Sequence, residues 1–321
     1  MLQVFTNKAM MTRRDFLKTA SAAMMGVMAS SCTPEPQESA VIASKYFGLQ
    51  IYGMGPELEN DLPNGFRTVK EMGYSTLELA GYREGKVGMF AAPIDIMEYR
   101  RMAEEAGLTI SSSHVRPSLR AYTEDNKSEL LDFWKKTLDD HVKLGVKYLI
   151  QPALPQCRSL EETQHVAALF NEVGQLSKAA GIEWGLHNDA GFCYRVAPGG
   201  EQSLYLLEGR YPEGSRQIMD VLLEETDPAL VTFEYDCMAA VQGFNDPVEY
   251  LQRYPQRLHL LHVRDYAALG QSGMLNYERI FRQFHANGYA DFYVEDENAR
   301  SGHQTERLRE SAAYLMNAEF V

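Results

Sequence analysis

Gly107-Leu108-Thr109-Ile110-Ser111-Ser112-Ser113-His114, Gly145-Val146-Lys147-Tyr148-Leu149-Ile150-Gln151 and Gly181-Ile182-Glu183-Trp184-Gly185-Leu186-His187 follow one plan. A glycine opens each stretch, a short apolar run follows, and a polar side chain closes it. Glycine takes the left-handed turn that stops a helix, and an apolar run of this length reads as a buried strand. Gly73 and Gly288 hold the same place before later or earlier runs, and Gly73, Gly107, Gly145 and Gly181 are spaced by 34, 38 and 36 residues, one β-α unit each.

Outward from these, eight strand-like runs emerge: Tyr46–Ile51, Thr76–Leu79, Leu108–Ser112, Val146–Ile150, Ile182–Leu186, Leu230–Tyr235, Leu258–Val263 and Phe292–Val294. Helical patterns lie between them, among them Ile94–Ala106, Glu129–Leu144, Glu161–Ala180, Arg216–Glu225, Tyr277–Ala286 and Gln304–Met316. Strands alternating with helices build a parallel sheet, and eight such pairs predict a closed (β/α)8 barrel over residues 45–321. An open doubly wound sheet would want a glycine-rich phosphate loop after an early strand. Gly53-Met54-Gly55-Pro56 is a poor one, because Pro56 lacks a backbone donor.

The amino terminus carries a different message. Residues 12–18 read TRRDFLK, an apolar and small-residue run spans Thr19 to Ala29, and Ser30-Ser31-Cys32 follows. A charged start, a short apolar middle and a small-residue end predict a twin-arginine signal peptide over 1–31, too short to span a bilayer. Ala29-Ser30-Ser31-Cys32 also matches a lipoprotein box, with Cys32 acylated and 32–44 a flexible tether. The expectation is a periplasmic lipoprotein that meets the membrane only through that anchor.

The remaining cysteines, Cys157, Cys193 and Cys237, form no CxxC, so a thiolate metal cage is not expected. A net charge of −13, from 31 Lys+Arg against 44 Asp+Glu, argues against nucleic-acid binding. It suits small neutral ligands and cations. Self-association into a homo-oligomer stays open.

In such barrels chemistry sits at the carboxyl ends of the strands. Those ends carry Gln50 and Tyr52, Glu78, Ser113 and His114, Gln151, His187 and Asn188, Asp236, His262, and Glu295. Barrel interiors are otherwise aliphatic, and buried polar groups need partners. His187, Asp236, His262 and Glu295 come from consecutive strands five to eight. Two imidazoles and two carboxylates suit a divalent ion, without choosing among Mn, Zn, Co and Fe.

At these residues the chain resembles the sugar phosphate isomerase/epimerase family, the xylose-isomerase-like TIM barrels. The likeness runs from about Tyr46 to the C-terminus. It rests on Glu234-Tyr235-Asp236, on Asp246-Pro247, on Arg257 to His262-Val263-Arg264-Asp265, and on Val294-Glu295. It implies a divalent metal at the ends of strands five to eight. In family epimerases the strand-five ligand is a Glu that also serves as a base, whereas His187 stands at that position here. A family Lys is replaced by Arg264, and the loop that follows is stretched to Gly270–Gly273.

The implied chemistry is isomerisation or epimerisation of an unphosphorylated sugar or keto-sugar through an enediolate. Glu295 would act as ligand and base, and Glu78 and His114 as the second acid-base group. Tyr52, Gln151, Asn188, Arg264 and Arg116 would bind substrate, with Trp184 and Tyr266 offering further stacking surface. β-Elimination from a 3-keto-glycoside uses the same chemistry and is the nearest alternative. A non-catalytic, exported carbohydrate-binding protein is the alternative from another class.

Overall fold

In the computed structural model, residues 45–200, 211–296 and 303–321 are described, so the export signal, the tether and Cys32 lie outside the described residues. The eight runs form the strands β1 (Gly48–Gln50), β2 (Thr76–Leu79), β3 (Thr109–His114), β4 (Tyr148–Gln151), β5 (Glu183–His187), β6 (Val231–Asp236), β7 (Leu258–Val263) and β8 (Phe292–Val294). Every neighbour in the closed ring is the next strand in sequence, and all pairs are parallel.

Helices α1 (Leu62–Met72), α2 (Ile96–Glu105), α3 (Lys127–Leu144), α4 (Leu160–Ala179), α5 (Ile218–Glu225), α6 (Pro247–Arg253), α7 (Tyr277–Ala286) and α8 (Gln304–Asn317) alternate with the strands. The stop signals act as read: Gly73 and Gly145 are left-handed C-caps of α1 and α3, with φ of 111° and 79°. Starts are set by side chains that take up orphan N–H groups. Asp95 accepts from Met97 and Glu98, Ser159 from Glu162, Asp246 from Val248, and Asn276 from Arg279.

Two helices start later than expected. Ile94–Asp95 pairs antiparallel with Lys86–Val87, and Arg216–Gln217 with Arg195–Val196, so α2 and α5 begin two residues later than their patterns.

Period-two alternation sorts the strand residues into two cores. Trp184, Leu186, Phe233, Tyr235, Leu261 and Val263 join the large apolar layer beneath the helices. Tyr148, Ile150, Leu260 and Tyr293 form a separate small cluster inside the ring. Gly48 is required there: a Cβ on it would lie 2.3 Å from Cδ1 of Tyr293. Above that cluster, toward the strand ends, the interior turns polar.

Candidate functional site

The register decides which polar side chains share a level. Asp236 pairs with His262 across β6 and β7, and His262 with Tyr293 across β7 and β8, which sets Glu295 two residues further along the same inward face. On the other side Glu234 pairs with His187. Gly185 leaves room beneath His187, since a Cβ there would meet Cγ2 of Thr232 at 2.7 Å.

The outcome is a tight group at the mouth. One atom from each of His187, Asp236, His262 and Glu295 lies within 4.8 Å of the other three. Nε2 of His187 is 2.9 Å from Nδ1 of His262 and 3.5 Å from Oδ2 of Asp236. Nδ1 of His262 is 3.5 Å from Oε2 of Glu295.

Asp236 divides its carboxylate. Oδ1 accepts from the N–H of Ala239, capping the short helix Cys237–Gln242, while Oδ2 faces the site and accepts from Nε of Arg264 at 2.5 Å. Asn188 grips the same residue from β5: its Oδ1 accepts from Asp236 N–H at 2.7 Å and its Nδ2 donates to Asp236 O at 3.1 Å. Burial opposes the Asp236 charge, but Arg264, His187 and the Ala239 N–H outweigh it and hold this carboxyl below its usual range. Burial pushes the His262 imidazole well below its ordinary value, helped by His187, His114 and Arg264. His262 is therefore neutral, the form that offers a lone pair.

A second group lies beneath the first. Nε2 of His114 is 2.6 Å from Oε2 of Glu234 and 3.1 Å from Oε2 of Glu78. Oε1 of Glu78 accepts from Ser112 Oγ at 2.6 Å, and Nε2 of His262 lies 3.5 Å from Oε2 of Glu78. Burial works against a charged His114, yet Glu78 and Glu234 together raise it well above its usual value. Burial, then the charge of Glu78, pushes the Glu234 carboxyl well up.

Glu234 is the residue that strand-end reading misses. Its signal was present, because Glu234 and Asp236 are two apart on one strand and so share a face.

The other expected residues scatter. Neither Glu78 nor His114 presents a free group at the mouth. Glu78 is fully buried, and His114 has Nε2 on the carboxylates and Nδ1 3.3 Å from Nε2 of Gln50. Gln151 is buried, accepting from Tyr122 OH at 3.0 Å and donating to Ala153 O at 2.8 Å. Tyr52 is half-buried against Phe90, while Arg116 and Tyr266 are exposed. Ser113 faces outward to His141 of α3. Trp184 is not at the mouth: it packs outward against Trp134 and Phe170, with ring centroids at 5.5 and 5.2 Å.

Comparison with known proteins agrees with this geometry. Residues 66–318 match the family model described as xylose isomerase-like TIM barrel. A solved sugar phosphate isomerase/epimerase from Parabacteroides distasonis ATCC 8503 is 41% identical, with a TM-score of 0.81 over 88% of this chain and 97% of that one. The fold also matches 3-keto-D-glucoside 4-epimerase from E. coli, at 19% identity and a TM-score of 0.62 over 85% and 99% of the two chains. An inosose dehydratase from Geobacillus kaustophilus (strain HTA426) is 38% identical over 81 residues, a quarter of each chain.

Proposed function

Since the chain belongs to the xylose isomerase-like TIM barrel family, we propose that it is a sugar isomerase or epimerase whose metal centre is His187, Asp236, His262 and Glu295. The observation that carries this is the gathering of four donor atoms from four consecutive strand ends within 4.8 Å. The residues fit a cation. Two ring nitrogens face each other at 2.9 Å, one ring is neutral, and two carboxylate oxygens close the group. The mixed nitrogen and oxygen set suits Mn, Zn, Co or Fe. When bound, such an ion supplies a Lewis acid toward the adjacent hydroxyl and carbonyl oxygens of a sugar and stabilises enediolate charge.

The chain's own residues do the rest. Glu295 faces the site and takes the proton from the carbon beside the carbonyl. Arg264 anchors Asp236 and places its guanidinium beside Glu295, with Nε 3.7 Å from Oε2, where it can orient a substrate hydroxyl. Tyr52 and Arg116 are the proposed outer contacts. The acidic chain disfavours a phosphorylated substrate, so the proposed substrates are free sugars or keto-sugars.

One observation favours a second reading. His187 stands where family epimerases carry a basic Glu, and Glu78 and His114 are engaged inside the barrel. A single carboxylate base suits isomerisation or β-elimination from a 3-keto-glycoside better than symmetric two-base epimerisation. Export and acylation at Cys32 remain part of the proposal.

The test is solvent deuterium exchange into free and 3-keto sugars with Mn2+ or Co2+ present. Exchange at the carbon next to the carbonyl, lost on chelation, is expected. Sugar binding without exchange from any candidate would leave a carbohydrate-binding protein in its place.

A further inference from the structure

We propose that the barrel holds a second divalent-cation site directly beneath the mouth, formed by Glu78, His114, Glu234 and His262, with the His262 ring shared between the two sites. This goes beyond the proposed function and borrows only His262 from it. One atom from each of the four residues lies within 4.8 Å of the others, and all four residues are buried, two of them glutamates with no exposure at all.

Three atoms point to a ligand. Oε1 of Glu234 and Nε2 of His262 are buried with no hydrogen-bond partner among the described residues, and Oε2 of Glu78 has none there beyond its 3.1 Å approach to Nε2 of His114. A buried acceptor left unpaired costs about 1–3 kcal/mol and more when charged. Such atoms gathered in one buried cluster are accounted for by something that binds there.

Charge makes the same case. Once His114 and Glu234 release their protons for coordination, two carboxylates and two neutral imidazoles carry a charge of −2, which a divalent cation cancels, and buried charge is tolerated only when compensated. Ring geometry links the sites. Nδ1 of His262 faces His187 and Glu295, while Nε2 faces Glu78. With both sites filled the ring binds as imidazolate, and its last N–H proton leaves to solvent. Coordination through Nε2 of His114 leaves the ring proton on Nδ1, 3.3 Å from the Gln50 amide.

The competing arrangement fills the inner group with protons alone, and stoichiometry separates the two. The full chain is stripped with a chelator, reloaded with Co2+, and analysed for bound metal and for its visible spectrum. Two ions per chain are expected. One is expected in E234Q, and one in D236N with a spectrum different from that in E234Q. If the native chain saturates at one ion, and D236N binds none, the inner site is overturned while the proposed function stands. One ion kept by D236N and lost by E234Q would preserve the inner site and remove the proposed metal centre. No bound ion would end both. A native stoichiometry of two upholds the inner site even if a variant fails to fold.

Discussion

The two ends of the barrel interior treat polar groups differently. At the lower end Thr76 Oγ1 and Ser111 Oγ are hydrogen-bonded, Ser111 Oγ meets Tyr293 OH at 2.8 Å, and Tyr148 OH donates to Asp291 at 2.7 Å. At the upper end Oε1 of Glu234, Nδ1 of His187 and Nε2 of His262 have no hydrogen-bond partner among the described residues. Only a few strand residues separate the two levels. The lower end satisfies its own groups and so serves stability. The upper end keeps donors in reserve, a cost to folding that makes sense where something else is to be bound.

Substitutions at the two ends should therefore divide into losses of activity and losses of stability. The largest effect is expected from His262→Ala, which removes a donor from both upper groups. Loss of several kcal/mol of charge stabilisation predicts a fall in kcat/KM of about 10^3-fold with bound metal reduced. Steady-state kinetics and elemental analysis check this. Glu295→Gln should lower kcat by roughly 10^2 to 10^4 through loss of the base, read as disappearance of deuterium exchange. Unchanged kinetics in both variants would erase the distinction between the ends.

Smaller effects sharpen it. Asn188→Ala frees Asp236 from β5 and is expected to weaken metal binding by about 10- to 100-fold with the fold intact, as measured by calorimetric titration. A third region, the strand–helix layer, predicts a pH effect. Burial holds His141 at about 4 despite its bond to the Thr137 carbonyl, below the ordinary 6.5. The unfolded chain binds the extra proton between those values, so stability is full above about pH 6.5 and falls on acidification toward pH 4. At pH 5 the loss from this group is on the order of 2 kcal/mol. Denaturant midpoints at pH 7 and pH 5 should differ less in His141→Gln than in the native chain. The smallest effect belongs to the lower end: Tyr293→Phe should cost about 1 kcal/mol and shift Tm by about 2–4 °C, with kinetics unchanged.

Much of this architecture was readable from residues alone. Glycines before five of the eight runs and buried strands between amphipathic helices are strong local signals, so the eight strands fall within a few residues of their expected places. The last residues of β5 and β6, the next-to-last of β7 and the residue after β8 led to His187, Asp236, His262 and Glu295, which the fold brings together. Other features had no comparable signal. The pairs Lys86–Val87 with Ile94–Asp95 and Arg195–Val196 with Arg216–Gln217 are too short to show a period. Trp184 carries an aromatic ring suited to stacking on a sugar, but its parity on β5 turns it outward onto Trp134 and Phe170. Glu234 lies two residues short of the end of β6, so only its shared parity with Asp236 marks it as inward-facing. The depth of Glu78 depends on how the ring closes, and distance around a cylinder leaves no trace in one strand.

The divided carboxylate of Asp236 ties the interior to the rim. One oxygen is fixed to the start of Cys237–Gln242, and that helix leads to Phe244, which is 73% exposed and carries a positive φ of 59°. One short helix thus joins the inward-facing carboxylate to a largely exposed ring. An aromatic reporter at that tip would sense, from outside, whether the cylinder below is filled.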